Sequence, residues 1–372
     1  MSSINVRPGH LAVKITPPPH QDLTPPSVRE RITWLDSLKG FATLCVVAGH
    51  VAGGYLRAGL YQESERAMQF LHEAVYSFHM PLFIAISGFM FSLAYLAPRR
   101  LPKWGGIGRQ VCNLLLLYVL WSAIYVGFSA LFSRNVNTPL GLHSLLGIWR
   151  DPVGPYWYLY VLVALYAVYA LLARLPLLPL LAASFVVCVV VSPFLPSACM
   201  LRATAFHSFF FMAGIAFHRV AKPLRRGVAL VALLVGVATF ASFWCEGERL
   251  HKDAFFFMLS ASGTSVFLFW LFSSVRRADC GPLALVGRHA LEIYVAHVPL
   301  GAGIRALFVA VGLTNCPLSI VLNILLSTAL PILLAVALKK IGVYDAAFRP
   351  VYLARRAAVG LNAYIRGKRE KR

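Results

Sequence analysis

The sequence predicts an all-α fold: a polytopic membrane helical bundle of about ten transmembrane helices with both termini cytoplasmic. Three observations carry that prediction. Of the 372 residues, 59% are hydrophobic and 13% charged, and the mean hydropathy is +0.70, more apolar surface than a soluble domain can hide. Apolar runs long enough to cross a bilayer follow one another along the chain, at 34–56, 74–97, 109–132, 156–174, 177–195, 203–219, 228–245, 254–274, 287–312 and 318–339. Finally, Lys and Arg alternate between successive connections, as the positive-inside rule requires of an even number of spans.

Residues 1–33 contain TPPPHQDLTPP and no apolar core for a cleavable signal. They read as a disordered cytoplasmic N-terminal segment. The membrane domain occupies 34–340, with a short sixth span and a ninth interrupted by Pro299. Residues 341–372 form a basic cytoplasmic tail ending RGKREKR, suited to anionic lipid or to solvent.

With the N-terminus inside, the inner connections carry Arg99, Arg100, Lys103, Arg109, Arg174, Arg219, Lys222, Arg225, Arg226, Arg276, Arg277 and Arg288, and the tail is basic throughout. The outer ones carry Arg57, Arg66, Arg134, Arg150, Arg202, Arg249 and Lys252, diluted by Glu63, Glu65, Asp151, Glu246, Glu248 and Asp253. The net charge of +21 therefore belongs to the cytoplasmic face of a membrane protein. No soluble basic surface with interleaved aromatics points to a nucleic-acid partner.

The polar residues inside the spans are the candidates for chemistry, because each is costly at membrane depth. In the first span, WLDSLKGFATLCVVAGHVAGGY, Asp36, Lys39 and His50 fall on one stripe. Lys39 and His50 are separated by about 16 Å along the axis. The stripe serves equally as a seam against another helix or as a functional path, with His50 able to act as a general base.

The second span holds His79 two residues before Pro81, and Ser87-Gly88 permits close helix approach. The fourth opens with PYWYLYVL, where Trp157, Tyr158 and Tyr160 suit an interfacial belt or a sugar-stacking face. In the ninth, Glu292 and His297 lie at buried depth; Glu292 and Tyr294 are open as polar partners for His50. His207, among phenylalanines, reads as a satisfied core histidine.

No Ser-His-Asp order, P-loop, GxGxxG or metal-ligand spacing is present, so no metal is expected. The seven cysteines show no CxxC. Cys45, Cys112 and Cys188 read as packing residues, and a disulfide among Cys199, Cys245 and Cys316 is left open.

Several motifs in this order resemble acyltransferase family 3, bacterial inner-membrane proteins that are mostly O-acetyltransferases acting on sugars. LDSLKGFATLCVVAGH is similar to the family opening, with Lys39-x10-His50 where the family has an Arg-x10-His pair. FHMPLFIAISGFM, YWYLYVL and IYVAHVP match later elements, and FHMP with the last resembles the fucose 4-O-acetylase-like branch. Lysine keeps the charge of the family arginine but loses its planar fork.

The resemblance implies that an acetyl group passes from cytoplasmic acetyl-CoA, a co-substrate and not a bound cofactor, to a hydroxyl of a cell-surface or secreted glycan such as a lipopolysaccharide or exopolysaccharide. It implies His50 as general base with Lys39 and Asp36 beside it. Arg99, Arg100, Arg109 and Ser87 would be donor-binding, and His79, Glu292, His297, Trp157 and Tyr158 would line the acceptor pocket. Transfer of another acyl group such as succinyl, or a glycan or acyl-donor transporter, is the competing expectation. No internal repeat supports the transporter.

Overall fold

The computed structural model describes residues 32–96, 102–132, 139–220, 224–274, 281–313, 315–356 and 358. The proline-rich segment, Arg99, Arg100 and the end of the basic tail lie outside the described residues. Among those described there is no strand, and ten helical spans are long and apolar enough to cross a membrane.

In chain order the helices are α1 (Thr33–Arg57), α2 (Glu65–Tyr76), α3 (His79–Tyr95), α4 (Trp104–Leu131), α5 (Trp157–Leu171), α6 (Leu177–Val186), α7 (Leu201–Val220), α8 (Arg226–Cys245), α9 (Ala254–Ser274), α10 (Gly281–Arg288), α11 (Ala290–Ala310), α12 (Cys316–Lys340) and α13 (Tyr344–Phe348). α2 and α3 together form the second span. α10, α13 and most of α2 occupy stretches that the hydropathy pattern assigns to connections.

α1 sits at the centre. It packs against α2, α3, α9, α10, α11 and α12. Such a helix meets protein and not lipid, so it tolerates Asp36, Lys39 and His50 where a peripheral span would not. α8 is the opposite case: only Ala229 and Gly236 are buried, and its other side chains are half-buried or exposed. The spans are joined by close glycine crossings. A Cβ on Gly88 would overlap the backbone of Phe211, one on Gly214 that of Ala85, and one on Gly287 that of Asp36. Glycine lets backbones approach within a distance that any larger residue forbids.

Two prolines have different consequences. Pro81 falls in the first turn of α3, where its missing N–H breaks no ladder. The helix break lies just before it, at Ser77–Phe78, and the His79 imidazole donates from Nδ1 to the Val75 carbonyl at 2.8 Å. Pro299 is truly internal to α11. It deprives the Val295 carbonyl of its N–H partner, and the Tyr156 hydroxyl donates to that carbonyl instead, at 2.7 Å.

Tyr294 returns the bond by donating to the Pro155 carbonyl, so the turn before α5 is latched to α11. Tyr156→Phe should cost about 1 kcal/mol by orphaning a buried carbonyl. Pro299→Ala in the same chain should recover most of that loss by restoring the N–H. Thermal melts of the two single variants and the double variant in detergent measure the coupling, and additive losses would rule it out.

Candidate active site

On α1, His50, Gly54 and Arg57 recur at the helical repeat and share a face. His50 is half-buried. Its Nδ1 lies 3.4 Å from the Tyr76 hydroxyl, and its ring centroid lies 5.1 Å from that of His297. His297 donates from Nδ1 to the Ile293 and Tyr294 carbonyls, at 2.9 and 2.8 Å. Its Nε2 then carries the lone pair, and this atom is buried with no hydrogen-bond partner among the described residues.

Both histidines line a cavity of about 300 Å³, together with Arg57, Tyr125, Arg305 and Asn323. Asn323 accepts from Ser327 on its own helix at 2.9 Å and donates to the Gly301 carbonyl at 3.1 Å, a polar bond that holds α11 to α12. No carboxylate is among the described residues lining this cavity. Arg57 also borders a larger groove of about 990 Å³, walled by Gln69, His72, Glu73, Phe240 and Trp244. His72 stacks on Tyr76 at 4.1 Å, and Tyr76 meets His79 edge-on at 4.6 Å. The rings from groove to cavity are therefore continuous.

The other sequence candidates are dispersed. Asp36 and Lys39 form an ion pair at 2.6 Å and do not line the cavity. The polar stripe is therefore not one open path. Gly40 and Gly287 bring the α1 and α10 backbones into contact beside the pair, leaving no room there.

Glu292 is separated from His50: it accepts from the Tyr344 hydroxyl at 2.6 Å and has His289 at 3.4 Å. Ser87 and Tyr158 hydrogen-bond to each other at 2.7 Å. Trp157 packs on His207, with centroids 5.4 Å apart, and His207 donates to the Ala203 carbonyl. His79 is buried and touches Tyr76, which in turn meets His50. Arg109 is exposed on α4.

Sequence reading missed Arg57, Tyr76, Tyr125, Arg305 and Asn323. A signal existed for two of them, since Arg305 and Asn323 interrupt apolar runs. The six described cysteines are free. Among the described residues no cluster of three or more His, Cys, Asp or Glu is placed to hold a metal.

The Lys39–Asp36 pair yields a prediction. Lys39→Met alone removes the cation beside a buried carboxylate and should destabilise by about 2 kcal/mol or more, whereas Asp36→Asn with Lys39→Met removes both charges and should lose less. Melting temperatures of the two variants and the wild type decide; a double variant less stable than Lys39→Met overturns the assignment.

Nodulation protein NolL of Sinorhizobium fredii is 30% identical over 159 residues, covering 42% of this chain and 40% of that protein. Nodulation protein NolL of Mesorhizobium japonicum is 28% identical over 139 residues, 37% of this chain and 34% of that protein. The matched stretches thus span less than half of either relative's length. No solved structure matches. The acyltransferase domain family matches residues 32–339, from the start of α1 nearly to the end of α12. The chain belongs to that acyltransferase family.

Proposed function

We propose that this multi-pass protein is a membrane O-acyltransferase of the bacterial cytoplasmic membrane, moving an acetyl group from acetyl-CoA to a sugar hydroxyl of a cell-surface or secreted glycan. The observation that carries the reading is the half-buried His50 on the wall of a polar cavity, backed by the Tyr76 hydroxyl. In the tautomer that donates Nδ1–H to Tyr76, His50 Nε2 accepts the proton of the attacking hydroxyl. The hydroxyl oxygen bonds to the thioester carbon, and the C–S bond breaks to release CoA thiolate.

The charge distribution supports a reading in which both termini and the Lys39 end of α1 are cytoplasmic, with the Arg57 end outside. In this reading Arg109, with Arg99 and Arg100 outside the described residues, faces the donor's phosphates. The Lys39–Asp36 pair is internal to α1 and does not grip the donor. The acceptor enters by the groove at Trp244 and Glu73, whose mixture of aromatic rings and carboxylates suits a sugar. Tyr158 and Trp157 are packing groups.

The test uses membrane vesicles and acetyl-CoA labelled in the acetyl group. Inverted vesicles, which expose the proposed cytoplasmic face, should pass label to glycan, and right-side-out vesicles should not. Label taken up only by right-side-out vesicles would reverse the orientation, and no O-acetyl difference between glycans of deletion and wild-type strains would remove the activity.

A further inference from the structure

The cavity beside His50 holds more positive charge than proton transfer uses. Arg305 is buried, at 8% exposure, and a guanidinium at that depth marks function by default. It lies across α1 at Gly54: a Cβ there would fall 2.6 Å from Arg305 Nη1. A Cβ on the neighbouring Gly53 would fall 3.2 Å from Arg57 Nη1. Two consecutive glycines weaken a helix. Here Gly54 makes room for the Arg305 guanidinium, and Gly53 for the His72 ring with the Arg57 guanidinium beside it.

Both arginines line the cavity. Asn323, Ser129 and the buried, unpartnered Nε2 of His297 also face it. No carboxylate is among its described lining residues, so the lining carries two guanidiniums and no acidic side chain, and a low-dielectric wall focuses their field.

The geometry points to an anion subsite at Arg305 and Arg57 that selects an acceptor sugar carrying an oxyacid group, a carboxylate or a phosphate. This deepens the acyltransferase reading and rests on it for the identity of the ligand as acceptor. Gly54 lies one turn beyond His50, about 6 Å along the axis. A pyranose spanning that interval places its oxyacid group on the guanidiniums and a ring hydroxyl at the imidazole. Guanidinium accepts either oxyacid through paired N–H donors. The donor's phosphates, arriving from the Lys39 end, do not reach this subsite.

The test is equilibrium binding to the purified full chain in lipid nanodiscs, with galacturonate, galactose 1-phosphate, galactose and acetyl-CoA as separate probes. On the wild-type chain one or both acidic sugars should bind about ten-fold or more tightly than galactose. A preference for galacturonate assigns a uronate, and one for galactose 1-phosphate assigns a sugar phosphate. Arg305→Gln should abolish the preference. So should Gly54→Ala, which keeps the charge and moves the guanidinium. His50→Ala should retain it, and acetyl-CoA affinity should be unchanged in all three variants.

Equal binding of acidic and neutral sugars overturns the subsite, as does a preference that survives both Arg305→Gln and Gly54→Ala. Loss of acetyl-CoA affinity in Arg305→Gln reassigns the arginines to the donor and overturns it too. Binding is read without acyl transfer. A chain that prefers acidic sugars but transfers no label therefore contradicts the enzyme reading alone, and a chain that transfers label without the preference contradicts the subsite alone.

Discussion

His50→Ala should lower acyl transfer by about 10²- to 10⁴-fold, the usual contribution of a positioned general base. His50→Gln should fare no better, because an amide can bond to Tyr76 but cannot take up a proton. Acceptor KM should change far less than kcat in both. The half-buried ring is held between Tyr76 and His297, so a folding check by size-exclusion chromatography separates lost chemistry from lost structure. If a folded His50→Ala chain acylates its glycan at the wild-type rate, His50 is not the base. Single-turnover labelling without acceptor distinguishes the general base from a covalent route: accumulation of acyl-His50 would replace proton abstraction by direct nucleophilic attack.

The second large effect is structural. Gly287→Leu should prevent correct assembly, because a Cβ at 287 overlaps the Asp36 backbone. Overpacking costs typically about 1–3 kcal/mol, and more where backbone must move. Gly303→Leu on α11, with nothing near its added Cβ, should be close to neutral. Fluorescence-detected size exclusion and melting temperature of the two variants compare the positions. Equal behaviour would mean that the α1–α10 contact does not organise the bundle.

The spans were legible because a long apolar run has one solution in a bilayer. α10 was not: eight residues ending in Arg288 are too few to span and read as a basic connection. α2 was hidden by its charged face, which carries Glu65, Arg66 and Glu73. In the candidate site, His50 and His297 were both named from sequence and lie in ring contact.

Glu292 was grouped with them although helical geometry turns it about 140° from His297; its partner is Tyr344, beyond the last span. Lys39 and Asp36 shared a stripe with His50, but a stripe says nothing of what packs on it, and here α10 does. Arg57 looked like an ordinary loop charge. Its role at two cavities depends on α2, α8 and α11 converging on it, which no local pattern reports.

The central position of α1 also sets an order of events during synthesis. α1 is made before the other described spans, yet the glycine that seats it, Gly287, follows Gly40 by about 250 residues. At ribosomal speeds of roughly 5–20 residues per second, that interval is about 12–50 s. Throughout it, a helix bearing Asp36, Lys39 and His50 waits without α10 and α11. Such a helix gains little by partitioning alone into hydrocarbon. Its retention beside the insertion machinery, or beside α2 and α3, is therefore part of making this protein, and chains ending before α10 should be handed to membrane proteases.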